Sequence, residues 1–171
     1  MGSDYSASTQ PSAYEWNIFV IIYAASTVAL FIKYSMSLVY ASNTGNHPSE
    51  DKQFNLPPPP EDIRRRERQF ANDMENIPFH LSIFWAAFII QNFANASGTG
   101  GRDGTIALSS LMLAYTVSRI LFTICYIFTL QPWRTIFYMI ASLSVVTTAA
   151  FLLYSAVMLD MTKVFPGAGI V

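Results

Sequence analysis

Apolar residues along the chain fall into four long blocks, and the polar residues collect almost entirely between them. Residues 16–41 are apolar apart from Lys33 and a scatter of Ser, Thr and Asn. Residues 77–93 form a second block, 108–130 a third with Arg119 near its middle, and 136–159 a fourth closed by Asp160 and Lys163. A helix rising 1.5 Å per residue crosses a hydrocarbon core of about 30 Å with roughly 20 residues, so each block is a candidate transmembrane helix. No period-two alternation and no internal repeat competes with this reading. The pattern predicts an all-α integral membrane protein, a four-transmembrane-helix bundle over residues 16–160, with polar tails at 1–15 and 161–171. The first block reads as a span and not as a cleaved leader. Residues 1–15 hold Asp4 and Glu15 but no Lys or Arg, and the run is about twice the length of a signal-peptide core. The same lack of Arg argues against a basic presequence for a mitochondrion.

The connections carry their own signals. Residues 42–60 are polar, contain His47, Glu50 and Asp51, and end in four successive prolines, which favour an extended polyproline segment and forbid helix until Glu61. Glu61 and Asp62 then stand where a helix dipole favours anions, and Arg64, Arg65, Arg66 and Arg68 follow on a strongly helical stretch. With no breaker before Pro78, one long helix is expected from Glu61 to about Phe93. Its first half, within the extension 42–76, lies outside the hydrocarbon, and Pro78 kinks it where water ends. The glycines in 95–104 mark a flexible loop, not a phosphate cradle, because no strand precedes them. A tight turn at Gln131-Pro132-Trp133 leads to the fourth span.

Composition narrows the function. With 52% hydrophobic and 12% charged residues the chain has about half the charge of an ordinary wetted surface, which disfavours a soluble domain and excludes disorder. A net charge of -1 gives no basic field for nucleic acid. The single cysteine, Cys125, rules out an intramolecular disulfide or a cysteine-cluster metal site, and buried in a span it reads as inert packing. His80 has no second His or Cys at ligand spacing, so no metal is expected. Six basic residues (Lys52, Arg64, Arg65, Arg66, Arg68, Arg134) lie on the face of the first and third loops, against two (Arg102, Lys163) on the other, which puts the long loop in the cytosol and both termini in the lumen.

Ionisable groups inside a membrane are costly unless paired or facing a wet cavity. On the second helix Arg68, Asn72 and Glu75 fall at i, i+4 and i+7, on one face. On the third, Arg119 and Tyr126 are seven apart with Phe122 between them; at the start of the fourth, Arg134 and Tyr138 are four apart with Thr135 adjacent. These residues are expected to converge on one polar cavity suited to a small zwitterion: guanidinium for carboxylate, Glu75 for an ammonium, Asn72 for an amide. A phenol or guanidinium near a thiol would also stabilise its thiolate. The alternative is structural, with the arginines snorkelling and Arg119 paired to Glu75.

The string Arg68-Gln69-Phe70-Ala71-Asn72-Asp73-Met74-Glu75-Asn76-Ile77-Pro78-Phe79 resembles the second-helix signature of the MAPEG superfamily, the membrane-associated proteins of eicosanoid and glutathione metabolism. A second block, from Arg119 through Phe122 to Tyr126 and then Gln131-Pro132-Trp133-Arg134-Thr135 to Tyr138, is similar to helices three and four of its microsomal glutathione S-transferase and prostaglandin E synthase branch. The resemblance implies a homotrimer that binds glutathione between subunits near the cytosolic face, usually in the endoplasmic reticulum, with a mitochondrial membrane as the other candidate. By position Arg68, Asn72, Glu75, Tyr126, Arg134 and Tyr138 would contact glutathione, with Thr135 near the sulfur. Arg134 and Tyr126 would be the catalytic pair favouring the thiolate, and Arg119 would complete the polar lining. The departures are Ala71 where a cation or polar group is frequent, Phe122 where a histidine stands, and no basic residue in 41–46. The expected activity is a glutathione-dependent transferase or peroxidase acting on lipophilic electrophiles or lipid hydroperoxides arriving from the membrane lipids. The alternative is a catalytically lost accessory or scaffold subunit of a larger membrane complex.

Overall fold

The computed structural model describes residues 13–42, 60–98 and 101–159, which form four helices: α1 (Ala13–Ser42), α2 (Glu61–Ala96), α3 (Arg102–Ile127) and α4 (Gln131–Met158). All four are long and apolar enough to cross a membrane, so the chain is an all-α integral membrane protein. The tails, the connection containing His47, and most of the proline run lie outside the described residues.

Local sequence explains the helix ends. Pro60 sits at φ -50°, ψ 149°, the extended conformation its ring favours, and its carbonyl accepts from the amides of Ile63 (3.0 Å) and Arg64 (3.1 Å) to open α2. The helix then runs without interruption through Pro78. Its other end closes at Ser97, and Gly98 at φ 74° takes the left-handed position that glycine fills without steric cost. The reversal between α3 and α4 lies at 128–130, ahead of the expected Gln131-Pro132-Trp133, which instead form the first turn of α4. A proline is well placed there, since that amide has no intrahelical partner anyway. The Leu130 amide bonds the Cys125 carbonyl at 2.9 Å and the Thr129 amide that of Tyr126 at 3.4 Å, the Schellman arrangement with Thr129 at φ 60° in the place usually given to glycine.

Cross-helix contacts run in opposite order along neighbouring elements. Lys33 meets Asp73 while Tyr23 meets Phe88, and Arg119 meets Asp73 while Thr105 meets Asn95, so α1, α2 and α3 are successively antiparallel. Helices α2 and α3 form the centre, with α1 and α4 each packed on both. The core is Tyr23, Leu30, Ile77, Phe84, Ala87, Leu108, Met112, Tyr115, Ala141 and Val145. Two buried hydroxyls bond back along their own helices, Thr116 to the Met112 carbonyl (2.9 Å) and Thr148 to that of Ser144 (2.8 Å), so these small polar residues pack closely with their donors satisfied. Bulky side chains such as Ile21, Phe31, Leu143 and Val157 face outward, as lipid or a second subunit requires. The starts of α2 and α4 and the end of α3 meet at one end of the bundle, where the candidate site lies.

Candidate functional site

Two polar assemblies occupy successive levels of the bundle. The deeper one is centred on Asp73, whose side chain is 0% exposed. One carboxylate oxygen accepts from Arg119 Nη2 at 2.6 Å; the other accepts from Lys33 Nζ at 2.5 Å and Ser37 Oγ at 2.7 Å. Arg119 also donates to Asn72 Oδ1 at 2.8 Å. Lys33 and Arg119 are 8% and 1% exposed, so two cations and one anion are buried together and tie α1, α2 and α3 at a single point.

Asp73, not Glu75, is therefore the partner of Arg119. The buried stripe of α2 runs Gln69, Asp73, Ile77, Phe84, Ala87 and Gln91, in helical steps of three, four or seven residues. Glu75 lies two residues from Asp73, about 200° around the helix, and faces outward.

The shallower assembly is a cavity of about 250 Å³ lined by Glu61, Arg65, Arg68, Tyr126, Thr129, Leu130, Gln131 and Arg134. The Arg134 guanidinium lies 5.0 Å from the centre of the Tyr126 ring and donates to Gln131 Oε1 at 3.2 Å, so both neighbours fix its position. Arg68 Nη2 donates to Glu61 Oε1 at 2.6 Å, the two side chains each 60% exposed. The first turns of α2 and α4 both contribute to the wall, and their dipoles add positive potential to that of three guanidinium groups. Against these stands one carboxylate, so the lining has a formal charge of +2 (three Arg, one Glu). Thr129, a β-branched residue held at positive φ, is part of the same wall.

An aromatic and cationic line joins the two levels. Arg119 lies 5.3 Å from the Phe122 ring centre, Phe122 packs at 5.8 Å from Tyr126, and Tyr126 carries Arg134. The structure thus divides the residues expected in one cavity into three groups. Arg68, Tyr126 and Arg134 line the cavity; Asn72 and Arg119 belong to the buried Asp73 network; Glu75, Thr135 and Tyr138 are exposed on the single chain, with Tyr138 at 6.2 Å from Phe122. Cys125 is buried and takes no part in the cavity wall. His80 shares a 2.9 Å hydrogen bond with Tyr115 Oη, and among the described residues no group of three His, Cys, Asp or Glu side chains could hold a metal ion.

Asp73, Lys33, Glu61 and Arg65 belong to the two assemblies although their spacing does not by itself assign them to the site. For Asp73 the signal was present, since it stands four residues before Ile77 in register with the apolar stripe. Glu61, Arg65 and Arg68 likewise follow at i, i+4 and i+7.

Residues 17–154 match the MAPEG family, most of the chain and all four helices in whole or in large part. No curated protein and no solved structure matches the chain.

Proposed function

Because the chain belongs to the MAPEG family, we propose that it is a glutathione-dependent membrane enzyme, a transferase or peroxidase that acts on lipophilic electrophiles or lipid hydroperoxides. Membership alone points to glutathione-related or eicosanoid and lipid-metabolic roles. The finer reading is carried by one observation, the gathering of Arg68, Tyr126 and Arg134 with Arg65 and Glu61 around a single cavity.

The chemistry of that lining fits glutathione. Its two carboxylates call for guanidinium donors and its ammonium for a carboxylate, and the cavity wall offers both. A volume of about 250 Å³ lies just under the roughly 300 Å³ at which pockets for drug-sized ligands begin, so in this reading an extended tripeptide leaves one end outside the cavity. When bound, glutathione supplies the thiol whose anion is the nucleophile.

The residues of the chain favour that anion. Arg134, held by Gln131 and the Tyr126 ring, presents a fixed positive charge at the first turn of α4, where the helix dipole points the same way. The Tyr126 hydroxyl is a second donor on the same wall. Arg68 and Arg65 serve the carboxylates. The buried Asp73 network holds α1, α2 and α3 in register beneath the cavity, a positioning role. Asn72 and Arg119 act there, while Glu75, Thr135 and Tyr138 complete the site from the outer face if a neighbouring subunit packs over it. The chain assembles in this reading as a homotrimer with the cavity end in the cytosol and both termini in the lumen of the endoplasmic reticulum, as the six-to-two split of basic residues favours.

The test is turnover of a lipophilic electrophile by the detergent-solubilised chain with glutathione, together with the ultraviolet absorbance of the bound thiolate. Glutathione-dependent turnover that Arg134→Ala abolishes while helical content is retained supports the reading. Absence of both turnover and thiolate absorbance overturns it.

A further inference from the structure

Among the described residues other than glycine, Thr129 alone has a positive φ, at 60°. That conformation crowds a Cβ against its own backbone, most of all a β-branched one, so the position invites glycine. Gly98 fills the corresponding place after α2, at φ 74°, and a Cβ added there would meet nothing within 4 Å. The two turns differ in their surroundings, because Thr129 stands in the cavity wall with Arg65, Arg68, Tyr126 and Arg134. Folding alone makes little use of its side chain. The turn is closed by the backbone amides of Leu130 and Thr129, which a glycine would keep, and Thr129 is exposed rather than packed in the core. Its hydroxyl donates to the carbonyl of the preceding residue, Phe128, at 2.7 Å, an exposed contact that water replaces readily. Strain kept beside a binding site, where an unstrained residue would close the same turn, points to a use for the side chain.

We infer that Thr129 is a ligand-binding residue of this site: its hydroxyl turns from the Phe128 carbonyl to donate to an oxygen of bound glutathione, and the need for that hydroxyl keeps threonine where the backbone favours glycine. This rests on the glutathione reading and adds to it a neutral donor from the turn between α3 and α4. A hydroxyl needs only to rotate to change its acceptor, and the guanidinium groups of Arg65, Arg68 and Arg134 gather the ligand's carboxylates along the same wall.

The experiment is calorimetric titration of the full chain in detergent with glutathione, run beside the thermal midpoint of each unliganded variant. Thr129→Val keeps the branched shape and removes the hydroxyl, Thr129→Gly removes both the hydroxyl and the strain, and Thr129→Ser keeps the hydroxyl. The first two are each expected to weaken binding by about tenfold, and the third by less than about twofold. Thr129→Gly binds more weakly although its thermal midpoint equals or exceeds that of the unmodified chain, a split between binding and stability that a purely structural threonine would not produce. Binding by Thr129→Val or Thr129→Gly within about twofold of the unmodified chain overturns this inference alone, as does a loss in Thr129→Ser equal to that in Thr129→Val or a lower midpoint in Thr129→Gly. No binding of glutathione to the unmodified chain overturns the glutathione reading and the inference together.

Discussion

Asp73→Asn should be among the most damaging single substitutions in the chain. The carboxylate accepts two charge-assisted hydrogen bonds, from Lys33 and Arg119, and one from the Ser37 hydroxyl. At about 1.5 to 3 kcal/mol for each bond to the ionised carboxylate, these three sum to roughly 4.5 to 9 kcal/mol. Asparagine keeps one acceptor oxygen, which recovers part. Its amide, however, turns donors toward two cations that are 8% and 1% exposed and, among the described residues, pair with Asp73 alone. The net loss expected is about 3 to 5 kcal/mol, the range seen when one member of a buried ion pair is removed. At about 2 to 4 °C per kcal/mol for a chain of this size, the thermal midpoint should fall by roughly 6 to 20 °C. The assay is thermal unfolding of the detergent-solubilised chain followed by circular dichroism. Lys33→Met alone leaves the Arg119–Asp73 pair intact and should cost less, and combined with Asp73→Asn it should recover part of the loss by removing one stranded cation. A loss under about 1 kcal/mol for Asp73→Asn, or no recovery in the double variant, refutes the claim that Asp73 neutralises this junction.

Other expectations follow from particular contacts. Arg134→Ala should reduce glutathione-dependent kcat/KM by about a hundredfold, as removal of a preorganised anion-stabilising group does, with helical content unchanged. A Cβ at Gly104 would lie 2.8 Å from Gln91 Nε2 and 2.9 Å from Phe151 Cζ, so Gly104→Ala should cost about 1 to 2 kcal/mol, read as a lower thermal midpoint. The cost is moderate because both neighbours are side-chain ends, yet real because Gln91 is tied to Asn95 at 3.1 Å and to the Gly101 carbonyl at 3.3 Å. Thr129→Gly should be neutral or stabilising, since it relieves a β-branched residue at φ 60°; a loss above about 1 kcal/mol would contradict that account of the turn.

The membrane bundle was readable in the sequence because its signal is redundant. Each apolar run alone is long enough to cross the hydrocarbon, and no single substitution such as Lys33 or Arg119 disguises it. The four prolines also announced the start of α2 at Glu61. Register between helices was harder to read, because spacing along one helix does not say which face meets which neighbour. Its alignment with Arg68 and Asn72 points to Glu75 as the acid of the site, yet the bundle turns Asp73 inward and leaves Glu75 on the outside. The cavity is only half legible for the same reason: of the residues expected to converge from three helices, Arg68, Tyr126 and Arg134 line it, whereas Asn72, Glu75, Arg119, Thr135 and Tyr138 do not. Glu61 was explained by the helix dipole, although the same carboxylate sits on the cavity wall. The turn before α4 is expected at Gln131-Pro132-Trp133 and lies instead at 128–130, because its left-handed residue is a threonine and not the glycine that would mark it.

The most direct test of the central claim is calorimetric titration of glutathione into the solubilised chain, run beside the double variant Arg68→Ala/Arg134→Ala. The account predicts saturable binding to the unmodified chain that is weakened by about a hundredfold or more in the double variant, while its helical content is unchanged. Equal binding by the two proteins would contradict the cavity as the glutathione site, and no binding by either would contradict the function.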